Sequence, residues 1–265
     1  MNLAVIERGD APLVIDIPHA GTFVPQALAQ RLLPSARAMP DTDWHVDRLF
    51  HFALRMGATV VAATHSRYVV DLNRDPAGVA LYPGADNTEL CPTRTFAGAA
   101  IYADGDAPGA DEIRARRAEY FDPYHEALAA EIERVRARHG HVVLLDGHSI
   151  RSEVPRFFAG RLPDLNLGTA DGASCVAALR DAAAAVLAKA ACFTHVVDGR
   201  FKGGYVTRHY GRPERAVHAL QLETAQCCYM DEDIPAPFDA IRADRLVATL
   251  ITLVAALVEW RPGDA

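Results

Sequence analysis

The stretch HVVLLDGHSIRS, residues 141–152, joins a strand-like apolar run to a group of polar side chains. The nearly continuous aliphatic run at 141–146 is typical of a strand that is covered on both faces of a sheet. An acid, a glycine, a histidine and a serine follow it, and several of these groups cost free energy to desolvate. One interpretation is an ordinary turn. The other is a site at the strand end, where His148 binds a ligand.

Similar aliphatic runs before and after this stretch predict further strands of the same fold. Strands are also predicted at 12–18, 58–63, 193–198 and 216–223. Helical segments are predicted within 111–140, 173–190 and 238–260, with the first broken around Asp122-Pro123 and ended by Gly140. Strands that alternate with helices indicate an α/β fold. We therefore predict a mixed, largely parallel central sheet with helices on both faces.

Composition narrows the class of protein further. The chain has 265 residues, is 50% hydrophobic and 23% charged, and has a net charge of −7 with no basic cluster, which argues against a nucleic-acid partner. No signal peptide is expected at the N-terminus, and the uncharged stretch 246–258 is too short to span a bilayer, so no membrane partner is expected either. Five cysteines without a CxxC pattern suit a reduced cytoplasm. We predict one cytoplasmic domain over 1–265.

Polar side chains stand at the ends of the predicted strands, where open α/β sheets place their ligand crevice. His19 follows the 12–18 run, His148 follows 141–146, and Glu223 ends the last run. Two histidines with nearby carboxylates suit zinc, whose catalytic sites use three protein ligands and leave a position for water. Glu223 could act as the base on that water. A serine hydrolase is the rival hypothesis, although the sequence has no GxSxG motif.

Five longer blocks carry a family resemblance. They are DTDWHVDRL (41–49), THSRYVVDLNRDP (64–76), LYPGADNTELCP (81–92), DGHSIRSEVPRFFAGRLPDLNLGT (146–169) and GRFKGGYVTRHYGRPERAVHALQLETAQCCYM (199–230). Together they resemble the N-formylglutamate amidohydrolase, or N-formylglutamate deformylase, family over most of the chain, from about Pro12 to Met230. That family hydrolyses N-formyl-L-glutamate to formate and L-glutamate in histidine degradation. It is similar in organisation to the zinc carboxypeptidases and aspartoacylases, which implies a zinc-carboxypeptidase-like (phosphorylase/hydrolase-like) fold.

The resemblance implies a zinc site, or a site for another divalent transition metal. His19 and His148 match the two histidine ligands. The superfamily often uses HxxE, but Ala20, Gly21 and Thr22 follow His19 here. Asp43 is the substitute carboxylate ligand, with His45 and Asp47 as alternates.

The same resemblance implies groups that act on the substrate. The Asn73-Arg74 pair matches the motif that grips a substrate carboxylate, and Glu223 matches the catalytic base. Asp146 is a plausible support behind His148. The KGGY segment, 202–205, is interpreted as a flexible lid that brings Tyr205 or Arg208 to the substrate. A second substrate carboxylate needs a second cation, and the candidates are Arg67, Arg94, Arg151 and Arg208.

These features predict a metal-dependent amidohydrolase acting on N-formyl-L-glutamate. Two other hypotheses stay open. One is a related zinc acylase or carboxypeptidase-like hydrolase that acts on another N-acyl amino acid. The other is a non-catalytic relative that binds a metal or an amino acid.

Overall fold

The central feature of the computed structural model is one seven-stranded sheet. The model describes residues 2–81, 84, 86–233 and 236–263, so three residues of the 81–92 block lie outside the described residues. The strands are β1 (Ala4–Glu7), β2 (Leu13–Ile17), β3 (Thr59–Ala63), β4 (Val142–Ile150), β5 (Leu165–Gly168), β6 (His195–Val197) and β7 (Val217–Ala225). Their spatial order is β1-β3-β2-β4-β7-β5-β6.

The central strands of the sheet are parallel to one another, and each flank joins them through an antiparallel pair. Strands β3, β2, β4 and β7 pair in parallel, whereas β1 pairs antiparallel with β3 and β5 pairs antiparallel with β7. The predicted mixed, largely parallel α/β sheet is thus confirmed. The sequence analysis missed β1 and β5, because each has only four residues and neither shows a long aliphatic run.

The helices cover both faces of the sheet, as predicted. They are α1 (Gln26–Ala29), α2 (Pro34–Arg37), α3 (Val46–Phe50), α4 (Ala110–Arg116), α5 (Asp122–His139), α6 (Ala177–Lys189), α7 (Tyr205–Tyr210) and α8 (Ala240–Glu259). Leu13, Ile15 and Ile17 of β2 pack in the cluster that α3, α6 and α8 complete, whereas Val14 packs in the cluster formed with α5. Successive strand residues thus face opposite layers, and burying each such side chain contributes about 1.5–3 kcal/mol.

The predicted helical break around Asp122-Pro123 takes the form of a wide turn. A π-helical segment, Arg117–Phe121, joins α4 to α5 without leaving the helical path. Pro123 lies just after this segment, and the wider π-helical turn accommodates the proline, which has no N–H to donate. Gly140 ends α5 with a φ of 77°, as its position predicted. Within the described ranges, no helix combines the length and apolar composition needed to cross a bilayer.

Two strands run further than the sequence analysis predicted. β4 and β7 pair over nine residues each, from Val142 opposite Val217 to Ile150 opposite Ala225. His148 therefore lies inside β4 rather than after it, and Glu223 lies inside β7 rather than at its end. The two residues are direct neighbours in the register. The longer pairing satisfies the backbone of the polar residues, so a buried site can be built there.

Candidate active site

Three side chains from distant segments meet at the carboxyl edge of the parallel strands. Asp43 Oδ2 lies 2.8 Å from His148 Nδ1 and 3.8 Å from His19 Nδ1. All three residues are buried, and one donor atom from each lies within 4.8 Å of the others. The structure therefore brings together a possible metal-binding triad of two imidazoles and one carboxylate, the residues that the sequence analysis nominated.

Backbone hydrogen bonds place Asp43 in this triad. Its N–H donates to the carbonyl of His19 at 3.1 Å, and the N–H of Ser149 donates to its Oδ2 at 3.2 Å. The two alternates point elsewhere. His45 Nε2 lies 3.0 Å from the carbonyl of Ala236, and Asp47 lines a separate cavity beside β1 and β3. Geometry thus favours Asp43 over both alternates.

A second layer of carboxylates holds both imidazole rings. His19 Nε2 bonds to Asp71 Oδ1 at 2.8 Å, which leaves Nδ1 as a buried nitrogen without a hydrogen-bond partner among the described residues. His148 Nε2 lies 2.7 Å from Asp146 Oδ1. Histidines that bind metals are commonly oriented by carboxylates in this way. The unpartnered Nδ1 and the nitrogen–oxygen donor set both fit a divalent transition metal.

The guanidinium of Arg67 forms ion pairs with two carboxylates of the site. Its guanidinium lies 2.5 Å from Asp43 Oδ1 and 3.5 Å from Asp71 Oδ2, and it stacks over the ring of Phe96. It also lines the cavity described below. Two acids thus take up the charge of Arg67, and its role as a substrate clamp stays a prediction.

The charges of the triad depend on these neighbours. Burial would raise the pKa of Asp43, but Arg67 and the hydrogen bond with His148 outweigh burial and lower the pKa to about 2. Burial also works against a charged His148, yet Asp146 and Asp43 outweigh it and raise the pKa well above the usual value. Burial and Arg67 lower the pKa of His19. An anionic carboxylate and a neutral imidazole thus stand ready as ligands, and metal binding would displace a proton from His148.

The two histidines of the triad line a cavity that is partly open to solvent. The described residues that line it are His19, Arg67, Asn73, Arg74, Leu81, Asp86, Asn87, Thr88, Phe96, His148, Ser149, Ile150, Phe157, Arg200, Phe201, Gly204, Gln221 and Glu223. Glu223 is buried, with Oε2 at 3.5 Å from Gln221 Nε2. Burial raises the pKa of Glu223 to about 8, while His148 acts in the opposite direction.

Asn73 and Arg74 both line the cavity, as predicted for this pair, but their side chains have different hydrogen-bond partners. Asn73 Nδ2 donates to Asp146 Oδ2 at 2.9 Å, and its Oδ1 accepts from the N–H of Val206 at 2.8 Å. Asn73 therefore links Asp146, which lies behind His148, to the first turn of α7. Arg74 is held by Thr88 Oγ1 at 2.7 Å and by the carbonyl of Asn73 at 3.0 Å, with part of its side chain exposed to the cavity.

Several nominated residues lie outside the cavity lining. The ring of Tyr205 stacks on His209, the guanidinium of Arg208 donates to the carbonyl of Gly203, and Arg94 donates to the carbonyl of Gly98. Arg151 also does not line the cavity. The structure therefore does not bring Tyr205, Arg94, Arg151 or Arg208 to the site. Each was nominated by proximity in sequence, which does not fix side-chain direction.

The KGGY segment, 202–205, packs against Asn73 and Gln221. The N–H of Gly204 donates to Gln221 Oε1 at 2.7 Å, and a Cβ on Gly204 would lie 2.4 Å from the Asn73 amide. Only glycine permits this approach. The segment thus closes one wall of the cavity in the state that the structure describes.

Arg200 and Gln221 are among the cavity residues that the sequence analysis did not nominate as site residues. Arg200 lies over the rings of Phe157 and Phe201 at 5.9 and 5.3 Å, and its Nε donates to the Phe157 carbonyl at 2.7 Å. Gln221 lies two residues before Glu223 on the same face of β7. The signal for Arg200 was its place directly after the 193–198 run, whereas Gln221 carried no signal beyond strand alternation.

Fold and site together define an α/β enzyme with a candidate metal centre in a polar cavity at the sheet edge. The family model for N-formylglutamate amidohydrolase matches residues 11–230. This chain belongs to the N-formylglutamate amidohydrolase family, as its resemblance predicted.

Individual relatives are similar to this chain over nearly its whole length. An N-formylglutamate deformylase of Pseudomonas aeruginosa is 49% identical over 96% of this chain and 95% of its own length. The Pseudomonas putida N-formylglutamate deformylase is 44% identical, over 96% and 94%. A crystal structure of N-formylglutamate amidohydrolase from Ralstonia eutropha has a TM-score of 0.80 and 30% identity, with 97% of each chain covered. A gene product of Agrobacterium tumefaciens, at a TM-score of 0.71 and 20% identity, shares the fold over 97% and 95% of the two chains.

Proposed function

We propose that this chain hydrolyses N-formyl-L-glutamate to formate and L-glutamate, as a step in histidine degradation. Its amidohydrolase family and the named activity of its relatives support this function. The observation that carries the proposal is a cavity lined by both histidines of the His–Asp–His triad, a buried glutamate and cationic side chains. Each group matches one requirement of hydrolysing an amide that bears two carboxylates.

His19, Asp43 and His148 are the proposed ligands of zinc or another divalent transition metal. Two nitrogen donors and one carboxylate are a ligand set found in catalytic zinc sites. When bound, zinc supplies Lewis-acid polarisation of a carbonyl and makes water acidic near neutral pH. The protein contributes orientation, because Asp71 and Asp146 fix the two rings and Arg67 fixes Asp43.

Glu223 is the proposed general base. Its carboxylate takes a proton from the attacking water and delivers a proton to the amide nitrogen, so that the C–N bond breaks and the amine leaves. A cation held by the triad would favour the ionised carboxylate, because opposite charge lowers the pKa of an acid. Glu223 and His148 are register neighbours, which keeps the base beside the triad.

Arg74 and Arg200 are the proposed partners of the two substrate carboxylates. Both line the cavity, and a guanidinium forms strong charge-assisted hydrogen bonds with carboxylate oxygens. Phe96, Phe157 and Phe201 line the same cavity and reduce access of water around these charges. Fewer competing waters strengthen each ion pair.

Broader features of the sequence-based prediction stay proposals. We propose that residues 1–265 form one amidohydrolase domain, because all seven strands belong to one sheet and the site lies at one edge of it. The kinship with zinc carboxypeptidases is supported by two histidines at the sheet edge and a glutamate on a later core strand. The cytoplasmic setting stays a prediction from cysteine usage.

Metal removal and restoration test the proposal directly. Chelated protein should lose formate release by roughly 100-fold or more, since metal-ion catalysis supplies several kcal/mol, and zinc should restore it. N-acetyl- and N-succinyl-L-glutamate serve as controls for the alternative acylase hypothesis. Full activity in rigorously metal-free protein would refute the metal-dependent mechanism. Preferred turnover of the acetyl or succinyl compound would refute the assigned substrate, and binding without formate release would indicate the non-catalytic relative.

A further inference from the structure

A second cluster of metal-type donors lies away from the cavity, where β5 begins and β7 ends. Donor atoms of Asp164, Cys227 and Cys228 all lie within 4.8 Å of one another. Asp164 directly precedes β5, and the two cysteines follow β7 in a 3-10 turn, Gln226–Cys228. We propose that these three residues form a second metal site, for a thiophilic divalent cation such as zinc.

Sheet pairing fixes the separation of the two segments. Strands β5 and β7 are antiparallel neighbours, and the N–H of Ala225 donates to the carbonyl of Asp164 at 2.9 Å. The carboxylate and the sulfurs therefore meet because the sheet brings their backbones together. Donors that directly flank paired strands keep their separation better than donors in long loops.

The spacing of one donor pair matches that of two ligands on a tetrahedral zinc ion. Cys228 Sγ lies 3.7 Å from Asp164 Oδ1. Zinc–sulfur and zinc–oxygen bonds of about 2.3 and 2.1 Å at a tetrahedral angle place the two ligand atoms about 3.6 Å apart. Little movement is therefore needed for both atoms to bind one ion.

Asp164 is held in the manner of an oriented ligand. Its Oδ2 accepts from the N–H of Thr194 at 2.9 Å and from Thr194 Oγ1 at 2.8 Å. The other oxygen, Oδ1, faces the sulfurs. A carboxylate with one oxygen fixed by hydrogen bonds and the other directed at soft donors is a common arrangement around bound metals.

The cluster is accessible to an added metal ion. It borders a cavity that is open to solvent and that Arg161 also lines. A zinc ion takes four ligands, so three protein donors leave one position for water on the open side.

Arg161 makes the charge of the site consistent with a divalent ion. Its guanidinium lies 3.2 Å from Cys227 Sγ and 3.5 Å from Asp164 Oδ1. Two thiolates and one carboxylate carry three negative charges, which a divalent cation and one guanidinium balance. The Arg161 side chain is 61% exposed, so it can rotate aside without losing buried contacts.

Cobalt(II) added to reduced, metal-free protein tests the proposal. The triad of His19, Asp43 and His148 has no sulfur, so thiolate-to-cobalt charge-transfer absorption can report only on a cysteine site. We expect this absorption in the wild-type chain and its loss in the C227S/C228S double variant. Cys91→Ser is the matched control, because Cys91 is buried elsewhere and a hydroxyl can keep its contact with the Val69 carbonyl.

Two further measurements separate a built site from chance binding. Thr194→Val should weaken cobalt binding by about 10–100-fold, as expected for loss of an orienting partner. Formate release should stay within about twofold in the double variant, since neither cysteine lines the catalytic cavity. Absence of charge-transfer absorption in the wild-type chain, or its persistence in C227S/C228S, would overturn the proposal and leave the proposed catalytic function untouched.

Discussion

Single side chains at the candidate active site are fixed by groups that lie behind them. Asp71 holds His19, Asp146 faces His148, and Arg67 holds Asp43. Removing one member of such a buried ion pair typically costs about 3–5 kcal/mol, because the remaining charge is left unpaired. The residues behind His19, Asp43 and His148 therefore stabilise the arrangement of the triad, and we expect them to affect its proposed affinity for a metal.

Glu223→Gln tests the proposed base. An amide cannot accept a proton from water, so kcat should fall by about 10²–10⁴-fold while KM changes little. Steady-state formate release from N-formyl-L-glutamate gives both constants, and metal content should match the wild-type protein. A variant with wild-type kcat would remove Glu223 from the base role.

Arg200→Met tests the proposed carboxylate partner that only the structure revealed. Loss of a charge-assisted hydrogen bond of about 1.5–3 kcal/mol should raise KM by roughly 10–100-fold. Arg208→Met is the matched control, because Arg208 does not line the cavity. Equal effects of the two substitutions on KM would contradict the assignment of Arg200.

Whole elements determine how the site is supported. Helix α8 packs Leu246, Leu250, Leu253 and Leu257 against the sheet face opposite α5. Asp239 caps its first turn by accepting from the N–H groups of Ile241 and Arg242. Hydrophobic periodicity was enough to predict α8, because a long amphipathic helix carries its own signal.

Leu250→Ala tests the packing of α8. Leu250 is fully buried, so the truncation should lower the free energy of unfolding by about 2–5 kcal/mol through lost burial and a residual cavity. The neighbouring Ile251 is 41% exposed, and Ile251→Ala should change the free energy of unfolding by only about 0.5 kcal/mol. Urea unfolding of both variants measures the difference. Equal destabilisation would contradict the assigned inner face.

Across the whole molecule, burial of charged groups couples folding to pH. Burial raises the pKa of Glu223 from 4.5 to about 8, so between those values the folded chain holds a proton that the unfolded chain has released. The contribution of Glu223 to the free energy of unfolding of the metal-free protein is therefore greatest below pH 4.5, the pKa in the unfolded chain. This contribution falls as the pH rises from 4.5 to about 8 and is constant at higher pH.

Glu223→Gln should therefore flatten the pH profile of the metal-free protein. The wild-type free energy of unfolding should fall with pH between about 5 and 8 more steeply than that of the variant, by up to about 1.4 kcal/mol per pH unit. Urea unfolding at several pH values in the presence of a chelator measures both slopes. Parallel profiles would show that Glu223 does not titrate in this range.

The sequence by itself determined the α/β class, most of the strands and long helices, and the nomination of His19, Asp43, His148 and Glu223. Local periodicity and family motifs carry that information, because they are properties of neighbouring residues. Only the tertiary structure decided how the nominated groups meet: it joined Asp43 to both histidines, placed Asp71 behind His19, brought Arg200 to the cavity and left Arg151, Arg208 and Tyr205 outside it. The physical reason is that contacts between distant segments depend on strand order and register, which a linear pattern does not contain.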